Sequence, residues 1–366
     1  AAAFLSGLLF SSWLTYVFTL LFASTAHPLL WANLLYFAAA MGMIFWLRKP
    51  QFGQPGDGFF RKVRKVRGRQ EADVTTPDAE ERIKLDSDSR PIGTEKWDWL
   101  CLSICLAFGC WLFFATLDYS NGNFEFAIKS WSDFGANLSL SQSFALGNNF
   151  PTEHPFFPGE TIRYHFLFWF QAANLSFLGL NLVWSVNLLS LLSLAALLVL
   201  IMTFAEILFG SRSVGRIAAI LFFFATSSFS YIPFLLSKAN FSEAVSSILN
   251  LSDFVKSGYP FRGEDWGGLT VAVFSNQRHL ISSAGILLLV LVSLIEFYRR
   301  KGAFPAPEKE RPESIPERVN DEDLEYIGQE QIQSKFADLK NELPGFISCG
   351  ALIGLLPYWN SAVFVS

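Results

Sequence analysis

The sequence predicts an all-α, multi-pass membrane protein. Of its 366 residues, 51% are hydrophobic and 16% aromatic, and only 16% are charged, against about 25% charged in soluble globular domains. Mean hydropathy is positive. The apolar residues fall in runs long enough to cross a bilayer, which takes about 20 residues of helix. The charges gather elsewhere, concentrated in the hydrophilic blocks 49–96 and 299–344, so the net charge of −4 does not by itself point to a partner.

Seven windows qualify as spans: 3–24, 29–47, 97–117, 183–209, 213–230, 279–298 and 345–364. The segment YHFLFWFQAANLSFL from Tyr164 is apolar but too short to span, and its status decides the topology. Basic residues flanking spans favour the cytoplasmic side. Arg48 and Lys49, the run RKVRKVRGR, and Arg299 to Lys301 are therefore expected inside. All three reach that side only if 164–178 does not cross. The segment is then a re-entrant or interfacial helix, the N-terminus is cytoplasmic, and loops 118–182 and 231–278 face outward.

The expected organisation follows: two N-terminal spans in 1–48, a cytoplasmic basic-then-acidic linker in 49–96, a transmembrane core in 97–298, a second cytoplasmic linker in 299–344, and the start of a further span in 345–366. The basic run of the first linker either grips anionic lipid or acts only as a topology signal. Cys101, Cys105, Cys110 and Cys349 all lie in apolar runs and read as reduced packing residues. The chain starts without methionine and stops inside an apolar run, so it is expected to belong to something longer. It has no Walker loop, no GxGxxG after a strand, no CxxC and no internal repeat. Neither nucleotide chemistry nor nucleic acid is expected.

The polar residues of chemical interest lie in the two outward loops. The stretch NNFPTEHPFFPGETIRYHF, 148–166, offers Glu153, His154, Glu160, Arg163 and His165. Its prolines and glycine forbid regular helix. Upstream, Asp133 sits among small and apolar residues in WSDFGAN, and Asn276, Gln277, Arg278 and His279 stand at the mouth of the sixth span. Ionisable groups at such a depth are costly, which marks them as site candidates; for Arg278 and His279 the alternative is interfacial snorkelling. Glu153 and Glu160 are solvated by default, and the histidines show no metal-ligand spacing. An aspartate can serve as general base toward a hydroxyl, while arginine and histidine can hold a phosphate. A lipid-linked phosphate would present its headgroup at that height.

The runs SDFGANLSLSQSFALGNNFPTEHPFFPGETIRYHFLFWF, LGLNLVWSVNLLS and SNQRHL resemble uncharacterised bacterial membrane proteins related to the GT-C glycosyltransferases, over roughly 97–300 and the last span. The resemblance implies a helical bundle with a large first outer loop holding interfacial helices, and a bacterial inner-membrane enzyme. Such an enzyme moves a sugar from a polyprenyl-phosphate donor to a glycan, lipid or protein acceptor on the extracytoplasmic face. It casts Asp133 as the catalytic acid or base, with Arg278, His279 and Arg163 on the donor phosphate, and Gln277, His165, Glu153 and His154 as further substrate contacts. Some members use a divalent cation such as Mg or Mn, although no spacing here compels one. Four residues after Asp133, where that family's pattern carries histidine, stands Asn137. A lipid-linked-sugar flippase or transporter, and an assembly protein that kept the fold but lost the reaction, are the alternatives.

Overall fold

The computed structural model describes residues 1–48, 96–127, 131–224, 235–249, 273–300 and 343–361. The expected linkers 49–96 and 299–344 lie almost wholly outside these residues, as does most of loop 231–278. The described chain is mostly helical, and five helices are long and apolar enough to cross a membrane: α1 (Ala2–Leu21), α2 (Pro28–Arg48), α3 (Lys96–Thr116), α6 (Leu182–Phe209) and α9 (Arg278–Arg300). The protein is a multi-pass membrane protein. The remaining helices are α4 (Trp131–Ala145), α5 (Leu167–Phe177), α7 (Arg212–Phe224), α8 (Phe241–Leu249) and α10 (Leu343–Tyr358). The fifth expected span is described only as far as Phe224. The seventh is shorter than expected, because α10 ends in a 3-10 turn, Leu356–Tyr358, where Pro357 cannot continue the α-helical hydrogen bonds.

Two compact units are present, residues 1–33 with 101–366, and residues 34–100. In the second, the described parts of α2 and α3 expose Phe37, Met41, Phe45, Trp46, Trp97 and Trp99, the surface of helices that face lipid rather than a protein core.

Within the first unit, α6 is the central post. Asn181 caps it by accepting hydrogen bonds from the Val183 and Trp184 amides, and Gly210 ends it in the left-handed region. Its next neighbour α7 comes so close that a Cβ on Gly215 would lie 2.6 Å from the Met202 carbonyl oxygen. Small residues at such crossings let membrane helices approach backbone to backbone. Glu206 and Arg212 close the turn between these two helices with a 2.8 Å ion pair.

At the other end of α6 the connecting segments assemble a cap. The Asn187 side-chain amide donates to the Leu117 carbonyl at the end of α3, and Arg278, first residue of α9, donates to Phe113 and Thr116 on the last turn of α3. Two small hairpins depart from the all-α expectation. Strands β1 (Leu117–Ser120) and β2 (Asn123–Phe126) pair across Asn121-Gly122, both with positive φ, as a two-residue type I′ turn demands. Strands β3 (Glu153–His154) and β4 (Phe157–Thr161) form the second.

Helix α5 is the segment whose crossing was in question. Its eleven residues reach only about 16 Å, roughly half the hydrocarbon thickness. Leu167, Phe168, Trp169, Phe170, Ala172, Ala173 and Asn174 are all buried, so it is a short helix packed inside protein, where an interfacial helix would keep one face in solvent or lipid. Asn174 and Asn33 exchange hydrogen bonds at 2.7 and 3.2 Å, which tie α5 to the start of α2 and occupy the amide of one apparent glycosylation sequon.

Candidate functional site

Helix α4 presents the first functional side chains. Asp133, Ala136, Asn137 and Leu140 recur at helical spacing and share one face, which lines a cavity of about 220 Å3 together with His154, Pro155, Ile162, Tyr164 and Gln277. The adjoining face of α4 buries Phe134, Leu138 and Ser141, and the Ser141 hydroxyl donates to the Trp169 carbonyl of α5. Burial on one face therefore fixes where Asp133 points.

The Asp133 carboxylate is held on one side only. Its Oδ2 accepts hydrogen bonds from both the Asn276 and the Gln277 side-chain amides, while no protein group described here bonds Oδ1. Two adjacent amides at the entrance to α9 thus orient the acid and leave one oxygen for a ligand. Tyr164 stands beside it: burial, and secondarily the charge of Asp133, hold the tyrosine hydroxyl above its ordinary pKa.

One residue further on, Arg278 is fully buried. Its Nη2 donates to the Phe113 carbonyl at 3.1 Å and to Thr116 Oγ1 at 2.8 Å, and its guanidinium lies 4.0 Å from the Phe113 ring centre and 5.6 Å from that of Phe134. The Nε and Nη1 atoms have no hydrogen-bond partner, and no carboxylate among the described residues reaches ion-pairing distance. Such a buried cation is costly unless an anion meets it. Arg278 does not itself line the Asp133 cavity; it lies one layer behind, on the side of Phe134.

His279 and His165 form a second cluster. Their rings lie 4.2 Å apart; the Nδ1 of His165 is 3.3 Å from the Ser361 hydroxyl, and Nε2 of His165 and Nδ1 of His279 are buried without partners. Desolvation pushes His165 down to a pKa of about 4, so it is neutral at physiological pH. It lines a separate groove with Arg163.

Asp133, Gln277 and His154 are thus brought together around one cavity, with Arg278 behind it. His165 and His279 pack against each other with tilted rings, apart from that cavity. Arg163 is exposed and pairs loosely with Glu160 at 3.7 Å. Glu153 is engaged in its hairpin, where its Oε2 accepts from the Gly159 amide at 3.0 Å. Asn276, Tyr164, Thr116 and Phe113 also build the site. Asn276 is visible in sequence beside Gln277, but nothing local marks Thr116 or Phe113 as the seat of an arginine. Among the described residues no group of three or more His, Cys, Asp or Glu side chains converges as a metal centre; Asp133 and His154 are the cavity residues able to contribute to one. Compared with protein-family models, curated proteins and solved structures, the chain gives no match.

Proposed function

We propose that this protein is a membrane-embedded, inverting glycosyltransferase that takes a sugar from a polyprenyl-phosphate donor and passes it to an acceptor hydroxyl on the extracytoplasmic face of the bacterial inner membrane. The observation that carries the reading is the pairing of a one-sidedly held carboxylate with a buried, uncompensated arginine. Asp133 Oδ1 is free to accept the proton of an acceptor hydroxyl. The hydroxyl oxygen attacks the anomeric carbon, the bond to the donor phosphate breaks, and the electron pair leaves with the phosphate. The charge growing on that phosphate is stabilised by the field of Arg278, which acts strongly because its surroundings exclude water. Asn276 and Gln277 position the base, and an acid displaced by about 1 Å forfeits much of its effect. Were Mg or Mn to assist, Asp133 and His154 would be its contacts on the cavity wall.

The test uses the full-length protein in proteoliposomes with labelled polyprenyl-phosphate sugars and a membrane glycolipid extract as acceptor. Sugar transfer by wild type that is lost in Asp133→Asn supports the enzyme. Failure of transfer with every donor, alongside equal translocation of labelled lipid by both proteins, supports a flippase instead.

A further inference from the structure

A groove of about 700 Å3 lies beside the Asp133 cavity and shares Ile162 and Tyr164 with it. Its volume falls within the range of small-molecule sites, about 300–1,000 Å3. It is built from three distant parts of the chain: Tyr16 and Leu20 on α1, Pro151, Thr152 and the segment from Thr161 to Phe166, and Pro357, Tyr358 and Ser361 at the end of α10. These parts are locked together. Trp13 Nε1 donates to the Leu355 carbonyl at 2.9 Å, the Phe166 amide donates to the Tyr358 carbonyl at 3.0 Å, and Tyr16 shares a 2.8 Å hydroxyl contact with Thr152. Tyr16 and Phe166 meet edge to face at 5.1 Å, and Trp13 and Tyr358 at 5.2 Å.

The floor is therefore preformed and aromatic, while the rings at its edges are left open: Tyr358 is 49% and Tyr164 55% exposed. Around them stand the exposed side chains of Thr161, Arg163 and Ser361, two hydroxyls and a cation able to exchange hydrogen bonds with a polyol. Exposed aromatic faces ringed by short polar side chains complement a pyranose ring, which has apolar C–H faces and a hydroxylated rim. A purely apolar lipid tail would cover the Thr161 hydroxyl and the Arg163 guanidinium without offering either a hydrogen bond.

We propose that this groove is a saccharide-binding site and, resting on the glycosyltransferase reading, that it seats the acceptor, whose reacting hydroxyl reaches Asp133 past Tyr164. Tyr358 stacks on the sugar, and Arg163 at the rim favours saccharides bearing a carboxylate or phosphate.

Full-length protein in lipid nanodiscs is titrated with soluble neutral and uronic-acid trisaccharides in one arm, and with nanodiscs containing a glycosyl-diacylglycerol in the other. Saturable binding is expected, weakened about tenfold in Tyr358→Ala, the effect of losing one aromatic stacking contact of about 1.4 kcal/mol. Saturation by the soluble sugars identifies a free glycan, and saturation by the glycolipid alone identifies a lipid headgroup. Arg163→Ala, at an exposed position that does not threaten folding, is expected to weaken uronic-acid binding selectively. Absence of saturable binding in both arms, or binding that neither variant alters, overturns the proposal. Binding with the expected variant pattern in a protein that transfers no sugar keeps the saccharide site and sinks the transferase. Transfer with an acceptor KM that Tyr358→Ala leaves unchanged does the reverse.

Discussion

Burial keeps His165 uncharged, and this sets a pH limit on the folded protein. With a folded pKa of about 4 against about 6.5 in an unfolded chain, the unfolded state binds a proton in the intervening window and the native state does not. The His165 contribution is complete above about pH 6.5 and is lost as pH falls toward 4. Melting temperature in detergent is therefore expected to drop across that window, and His165→Gln to flatten part of the fall; a variant whose profile superimposes on wild type would show that His165 is not the group involved. At this scale the sequence was informative where polarity stood out from its surroundings. Asp133 among small and apolar residues, and Asn276 to His279 at the mouth of a span, were visible as candidates, and they meet in the structure through Asn276, Gln277 and Asp133. The split of the candidates into a cavity and a neighbouring groove was not visible. It depends on which side of the 162–166 segment each residue faces, and an irregular segment has no periodicity from which to read that.

Among the elements, the long helices were legible because 20 apolar residues in a row admit few other structures. The hairpins were not, although Asn121-Gly122 carries the strongest short-range signal for one; the strands around it are only four residues each and hold too little alternation to stand out. The short α5 was legible by parity alone, and its burial follows from packing against α4 and α6 rather than from its own pattern. The crossing of α6 and α7 is where an element-level change should act most sharply. Gly215 has no room for a Cβ against the Met202 backbone, and backbone cannot yield as a flexible side chain can. Gly215→Val is expected to destabilise the protein by about 1–3 kcal/mol through overpacking, read as a lowered melting temperature; an unchanged value would mean that the helices separate at no cost.

At the scale of the whole molecule, the candidate site lies at one end of α6. The end of α3, the starts of α6 and α9, α4, α5, the β3–β4 hairpin and the last turn of α10 gather at the end of α6 near the cavity and the groove, while the α6–α7 turn with its Glu206–Arg212 pair lies at the opposite end of α6. Single cysteines placed at the exposed positions Asn123 and Leu146 in a cysteine-free background are expected to react with an impermeant thiol reagent from one side of sealed vesicles, and one at the exposed Phe209 from the other. Labelling of all three from the same side would refute a membrane-crossing α6.

The measurement that bears most directly on the central claim separates donor binding from transfer in two variants of the full-length protein in proteoliposomes. With a polyprenyl-phosphate sugar that wild type uses, Asp133→Asn should bind the donor with near wild-type affinity and transfer less than about one hundredth as fast, the scale of a lost general base. Arg278→Met, which removes the buried charge, should bind the donor within a few-fold of wild type and transfer at least about tenfold more slowly, because the charge that Arg278 stabilises grows only as the bond to the phosphate breaks. Transfer at wild-type rates in either variant would contradict the assignment of these two residues to one reaction.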